Sequence, residues 1–179
     1  MTFTGRVSAM FQRPWRGPSP QSSWRLATLG PGLYVIGKPQ DPTAPMGRCL
    51  DSEGKLGGFP GNFLPLYIGS SQSERYGVRT RLRRHFSGRG NRLVAEAVLK
   101  NEPLYFIDLP GADMAGYEAI YLHIQAGFAF PFNRRPEATR YMRRVVRELE
   151  EAGCIPTDPF LMHQPVAPFT KAPQPWITR

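Results

Sequence analysis

Between Leu33 and Leu109 the apolar residues change their spacing twice, and that order of spacings restricts the chain to a mixed α and β fold. Leu33 to Ile36 and Leu64 to Ile68 are short runs rich in branched and aromatic side chains, each followed by a glycine, Gly37 and Gly69. Such runs predict two strands that pair. From Glu74 the spacing becomes helical, with Val78, Leu82 and Phe86 recurring every four residues and Gly88 at the C-terminal cap position. A second helix is predicted over Arg92 to Lys100, with Leu93, Val94, Ala97 and Val98 inward, and Leu104 to Leu109 alternates as a third strand. Met114 to Ala126 is predicted to be helical, because Tyr117, Ile120, Tyr121, Ile124 and, just past its end, Phe128 follow one helical stripe, closed by Pro131. A last helix starts at Pro136, a favoured first-turn residue, turns Ala138, Tyr141, Met142, Val145, Val146 and Leu149 inward, and stops at Gly153. The order β, β, α, α, β, α, α has no internal repeat and no glycine-rich phosphate loop. It predicts an α+β fold.

The flanks differ in kind from this centre. Residues 1–28 mix Pro14, Pro18 and Pro20 with four arginines and no apolar period, which predicts an irregular basic arm. Residues 29–135 form the domain, and 136–179 supply the last helix and a proline-rich tail. The polar stretch Lys38 to Asn62 far exceeds an ordinary hairpin connection of about 2–5 residues, a length that signals function or disorder. The longest run free of polar residues, Ala126 to Phe132, is too short for a bilayer, which takes about 20 residues. The apolar patch Ala9 to Phe11 is likewise too short for a secretory leader, so a cytoplasmic, membrane-free protein is expected. Cys49 and Cys154 lack metal-site spacing and are expected to be free thiols.

Charge adds a partner. Of 23 basic residues 19 are arginine, and the formal net charge is +9. The arginines gather in three islands, residues 1–30, 75–100 and 134–147, and the remainder of the chain is acidic on balance. Segregated arginine is the footprint of a polyanion such as DNA, although solubility alone also produces arginine-rich faces.

One set of residues falls in order on these elements: Gly32-Leu33-Tyr34 on the first strand, Tyr67-Ile68-Gly69 on the second, Arg81 and His85 four apart on the first helix, Glu118 on the segment after the third strand, and Asn133 beyond it. Together they resemble the GIY-YIG nuclease domain over about residues 31–135, with Gly-Leu-Tyr standing where the family has Gly-Ile-Tyr. The resemblance implies a small three-stranded antiparallel sheet flanked by helices, here with an extra C-terminal helix, and metal-dependent hydrolysis of phosphodiester bonds in DNA. It assigns catalytic work to Tyr34, Tyr67, Arg81, His85, Glu118 and Asn133, with Tyr34 as the base and Tyr67 its partner, and one Mg²⁺ or Mn²⁺ on Glu118. Arg79, Arg83, Arg84 and Arg89 are then the phosphate contacts.

Chemistry bears on these roles independently. Arg81 and His85 share a helix face about 100° from the Val78, Leu82, Phe86 stripe, and so border the core. Glu118 lies beside its helix's apolar stripe, which leaves a carboxylate for a hard cation. A free phenol is ionised in only about one molecule per thousand at pH 7, so a tyrosine base needs help from metal and arginine. Asn133 reads as a structural clamp or a phosphate contact. The long connection 38–62, Ser70 where many members have lysine, and the extended termini depart from the family pattern. Two other readings stay open: a nucleic-acid-binding protein with this fold and no catalysis, and a basic interaction module that offers its proline-rich tail to a partner.

Overall fold

In the computed structural model the residues described are 9–10, 13–18, 20–44, 62–111, 115–116, 118–119, 122, 130–133 and 140–153. Three strands, β1 (Gly32–Pro39), β2 (Phe63–Ser71) and β3 (Tyr105–Pro110), form one antiparallel sheet in the order β2-β1-β3. The helices are α1 (Pro20–Ser23), running into a 3-10 turn at Trp24–Leu26, then α2 (Gly77–Phe86), α3 (Arg92–Leu99) and α4 (Arg140–Glu151). The fold is therefore α+β, and the order β, β, α, α, β from Leu33 to Leu109 is as the spacing predicts.

Strand alternation sends Leu33 and Val35 to one face of the sheet and Tyr34 and Ile36 to the other. The first face is covered by Met10, Phe63, Leu122 and Phe130, the second by α2 and α3 through Val78, Leu82, Phe86, Val94 and Ala97. Pairing between β1 and β2 slips after Ile36, where Tyr67 is opposite Ile36 but Pro65 is opposite Gly37, so that Leu66 is left over as a bulge. The slip turns Leu66 and Tyr67 both toward the second face. Gly37 makes it possible: a Cβ there would lie 2.1 Å from the Phe63 ring.

Both sheet edges are closed by segments that are not strands. On the β3 side Arg16 and Phe106 exchange backbone hydrogen bonds of 2.8 and 2.9 Å. On the β2 side the Phe132 amide donates to the Leu66 carbonyl at 2.8 Å.

The described part of residues 1–28 is not an irregular arm. Met10 is fully buried, Trp15 packs on Phe63 with ring centroids 3.9 Å apart, and residues 20–26 are helical. The reason lies in Asp108, 1% exposed, which accepts from the Thr28 amide at 2.6 Å and faces the guanidinium groups of Arg16 at 3.6 Å and Arg13 at 3.9 Å. A buried carboxylate needs such partners, and the arm supplies them. The same segment starts α2: Val78 and Arg79 donate their amides to the carbonyls of Gly30 and Thr28, both at 2.9 Å, in place of a side-chain cap.

Residues 115, 116, 118, 119 and 122 are helical, within the helix predicted for Met114 to Ala126. Their buried stripe is Ala115, Glu118 and Leu122, whereas the side chains of the predicted stripe, Tyr117, Ile120, Tyr121, Ile124 and Phe128, lie outside the described residues. In α4 Val145, Val146 and Leu149 are buried as expected; its predicted start at Pro136 lies outside the described residues, as do Cys49, Cys154 and 45–61 of the long connection. The base of that connection is pinned by Asn62, whose amide donates to the carbonyls of Asp41 at 2.9 Å and Ala44 at 3.0 Å. Among the described residues no helix is long and apolar enough to cross a membrane.

Candidate active site

Tyr34 in the middle of β1, Tyr67 on β2 and His85 near the end of α2 meet on the second face of the sheet. The Tyr34 hydroxyl lies 2.8 Å from His85 Nε2. Ring centroids are 4.8 Å apart for Tyr67 and His85, 5.8 Å for Tyr34 and His85, and 6.1 Å for the two tyrosines. The glycine of Tyr67-Ile68-Gly69 has a packing reason, since a Cβ on Gly69 would stand 2.4 Å from the Tyr34 hydroxyl. Gly32 is equally constrained, a Cβ there meeting the Leu109 carbonyl oxygen at 2.2 Å.

His85 is buried at 5% exposure, not merely at the border of the core as its place on the helix suggests. The chain after α2 folds back over its ring: the Asn91 amide donates to Nδ1 at 2.9 Å, and a Cβ on Gly90 would be 2.4 Å from that nitrogen. Burial, reinforced by the Arg81 and Arg84 guanidinium groups, lowers the His85 pKa to about 4, so the ring is neutral at pH 7. Burial also raises the Tyr34 hydroxyl well above the ordinary phenol value, and the neighbouring Tyr67 adds to this while Arg81 opposes it. Tyr67 is raised as well, again by burial, with the hydrogen bond from Tyr34 and the charge of Arg81 working against it. Tyr34 is 1% exposed and Tyr67 is half-buried, so Tyr67 is the tyrosine nearer to water. Arg81 is exposed and acts on all three groups through its charge.

Two further residues expected at the site have different places. Asn133 pairs with the backbone of Ile68, accepting from its amide and donating to its carbonyl, each at 2.7 Å. Both ends of its side chain are thereby engaged in clamping the β2 edge, which is the clamp reading and not a phosphate contact. Glu118 is fully buried on the stripe with Ala115 and Leu122, and its neighbours Ala119 and Leu122 pack on the first face, with Leu33 and Val35. A place beside the stripe of Tyr117, Ile120 and Tyr121 does not leave the carboxylate free, because Ala115 and Leu122 are buried on the same side of the helix as Glu118.

This placement bears on the metal. A hydrated Mg²⁺ or Mn²⁺ keeps several waters and needs a carboxylate with an open side. Glu118 has none, and among the described residues no group of three or more His, Cys, Asp or Glu side chains could hold an ion. The described donors do not fit such a centre.

The four arginines expected on phosphate divide. Arg83, Arg84 and Arg89 are exposed, with the Arg83 guanidinium 6.0 Å from the Trp24 ring. Arg79 is half-buried, and its Nε donates to the Ala27 carbonyl at 2.9 Å, so it holds the N-terminal segment against α2. Gly90, Asn91 and Asp108 escape the sequence reading. Signals for two of them exist: Asn91 is a capping residue immediately before a helical pattern, and Asp108 is an acid two positions from Phe106 on an inward strand face. No family model, no curated protein and no solved structure matches the chain.

Proposed function

We propose that the chain is an endonuclease of GIY-YIG type that hydrolyses phosphodiester bonds in DNA at the surface formed by Tyr67, Tyr34, His85 and Arg81. The observation that carries the proposal is the convergence of two strand tyrosines, a neutral histidine and an exposed arginine from β1, β2 and α2. Such a site has what phosphoryl chemistry uses: a guanidinium for the charge that develops on the phosphate and a tyrosine whose ionised oxygen takes the proton of attacking water. Of the two tyrosines the half-buried Tyr67 takes the base role, because water reaches it while Tyr34 is enclosed. Tyr34 and Arg81 then stabilise negative charge on its oxygen.

A base with a pKa above the ordinary phenol value is almost wholly protonated at pH 7, so its active fraction grows about tenfold per pH unit. Nicking of supercoiled plasmid with Mg²⁺ is therefore expected to accelerate about tenfold per unit between pH 7 and 9, and Tyr67→Phe is expected to abolish both the nicking and the slope. A pH-independent rate, or unchanged nicking by Tyr67→Phe, removes Tyr67 from the reaction.

A second reading has its own observation. The enclosure of Glu118 suits a nucleic-acid-binding protein that keeps this architecture without cutting. The same assay separates the two: that protein shifts the plasmid in a gel and leaves it supercoiled with Mg²⁺ and with EDTA alike. Cutting that EDTA stops would require Glu118 to turn out of the core, and Glu118→Ala would then stop it too.

A further inference from the structure

We propose that Asn91 is a positioning residue for this site: its backbone N–H, held in place by its own side chain, fixes His85 in the Nε2–H form, so that hydrogen bonds run outward from His85 through Tyr34 to Tyr67. The catalytic consequence rests on the nuclease reading above; the tautomer of His85 rests on the positions of the Asn91 amide and the Tyr34 hydroxyl.

The direction follows from what each group can do. A backbone amide only donates, so with Asn91 N 2.9 Å away, His85 Nδ1 must present its lone pair. A neutral imidazole carries one N–H, which is then on Nε2, and at 2.8 Å the Tyr34 hydroxyl oxygen accepts it. The hydroxyl hydrogen of Tyr34 is left for its other partner, Tyr67. In this form His85 cannot act as a base toward Tyr34. Moving the proton to Nδ1 would set two N–H groups against each other in a buried place and leave both without an acceptor. The imidazolium meets the same obstacle, and the groups facing the ring, Tyr34 on β1, Tyr67 on β2, and Arg81 and Arg84 on α2, bring no carboxylate to offset it.

The amide is aimed by the rest of Asn91. With φ −68° and ψ 131° the residue caps α3, its Oδ1 accepting from Leu93 at 2.9 Å and Val94 at 3.2 Å. Its Nδ2 donates to the Phe132 carbonyl at 2.9 Å. Phe132 in turn donates to Leu66, and Asn133 clamps Ile68, the two residues that flank Tyr67 on β2. One side chain thus ties the loop over His85 to the strand that carries Tyr67. Gly90 completes the device, because a side chain there would push the loop off the ring. For the reaction, negative charge on Tyr67 would receive a hydrogen bond from a Tyr34 already polarised by His85, which strengthens that bond.

Long-range ¹H–¹⁵N correlation spectra of the histidine rings in the full chain at pH 7, with His85→Gln to assign the signal among three histidines, read the tautomer directly. The expected result is a single Nε2–H form for His85. An Nδ1–H form, or a mixture, overturns the proposal whether or not the protein cuts DNA. Proline's fixed φ of about −65° matches Asn91, so Asn91→Pro removes the N–H with the local backbone direction kept. In this variant the Nδ1–H form is expected to appear and the ring to titrate about one pH unit higher, a tenfold change in protonation. Should Asn91→Pro not fold, Asn91→Ala keeps the N–H and loses both side-chain anchors. The same shifts are expected there in smaller degree, and an unchanged tautomer and titration in Asn91→Ala deny the side chain its aiming role. A pure Nε2–H ring in a protein that never nicks DNA leaves the hydrogen-bond assignment standing and removes the nuclease reading.

Discussion

Helices α2 and α4 each carry four arginines, yet the two sets do different work. In α2 Arg79 is half-buried and bound to the Ala27 carbonyl, Arg83 leans on Trp24, and Arg81 and Arg84 lie close enough to His85 to help keep its ring neutral. In α4 Arg140, Arg143, Arg144 and Arg147 are all exposed on the face opposite Val145, Val146 and Leu149, and Arg144 forms an i,i+4 ion pair of 3.5 Å with Glu148. Composition does not distinguish these helices. What lies beside each guanidinium does, since an exposed ion pair contributes about 0–1 kcal/mol whereas a charge beside buried groups alters their protonation.

The sharpest way to break this contrast is a rate. If Arg81 stabilises charge at the reacting phosphate, Arg81→Ala is expected to slow plasmid nicking by about 10²- to 10³-fold, while Arg143→Ala and Arg147→Ala leave the rate constant of bound DNA unchanged and at most lower the salt dependence of binding by about one unit of log–log slope per contact. Equal losses from both helices would make Arg81 one more exposed cation.

Next in size is an acid effect confined to α2. His85 titrates at about 4 in the folded chain, against about 6.5 when unfolded, so the unfolded state binds the proton first as pH falls. Stability should be complete above pH 6.5 and decline toward pH 4 by up to about 3 kcal/mol, and urea titrations of His85→Gln should lack that part of the decline. A parallel decline in both proteins would assign the loss to other groups.

Arg79 offers a smaller test. Its bond to the Ala27 carbonyl is charge-assisted and half-buried, so Arg79→Ala is expected to lower the urea-derived stability by about 1–2 kcal/mol, whereas Arg140→Ala stays within about 0.5 kcal/mol. Identical small values for the two would mean that the N-terminal segment holds to α2 without Arg79.

The part of the fold that shows in the sequence is the part governed by local repetition. Strand runs and the four-residue stripe of α2 announce themselves because alternate or fourth residues must share a face to bury apolar area. The tyrosines, Arg81 and His85 were legible as candidates through the family resemblance, and counting placed them on those elements. The enclosure of His85 was not, because it depends on Gly90 and Asn91 turning back over a helix end. Nor was the burial of Glu118, which shares its buried side of the helix with Ala115 and Leu122, a line that a count of large residues passes over. The N-terminal segment looked irregular because its order comes from one remote acid, Asp108, 80 positions from the Thr28 amide it accepts.

From the sequence alone came the succession of elements, the pairing of two strands that each carry a glycine and a tyrosine, and the helix that sets Arg81 four residues before His85. Those are consequences of period and of residue type, which act over a few neighbours. Only the tertiary structure decided which tyrosine faces water, which nitrogen of His85 accepts the Asn91 amide, and that Asn133 clamps Ile68 while Glu118 is withdrawn into the core. Each of these depends on a hydrogen bond or an enclosure between groups far apart in the chain, and such partners are chosen by packing, which no local pattern encodes.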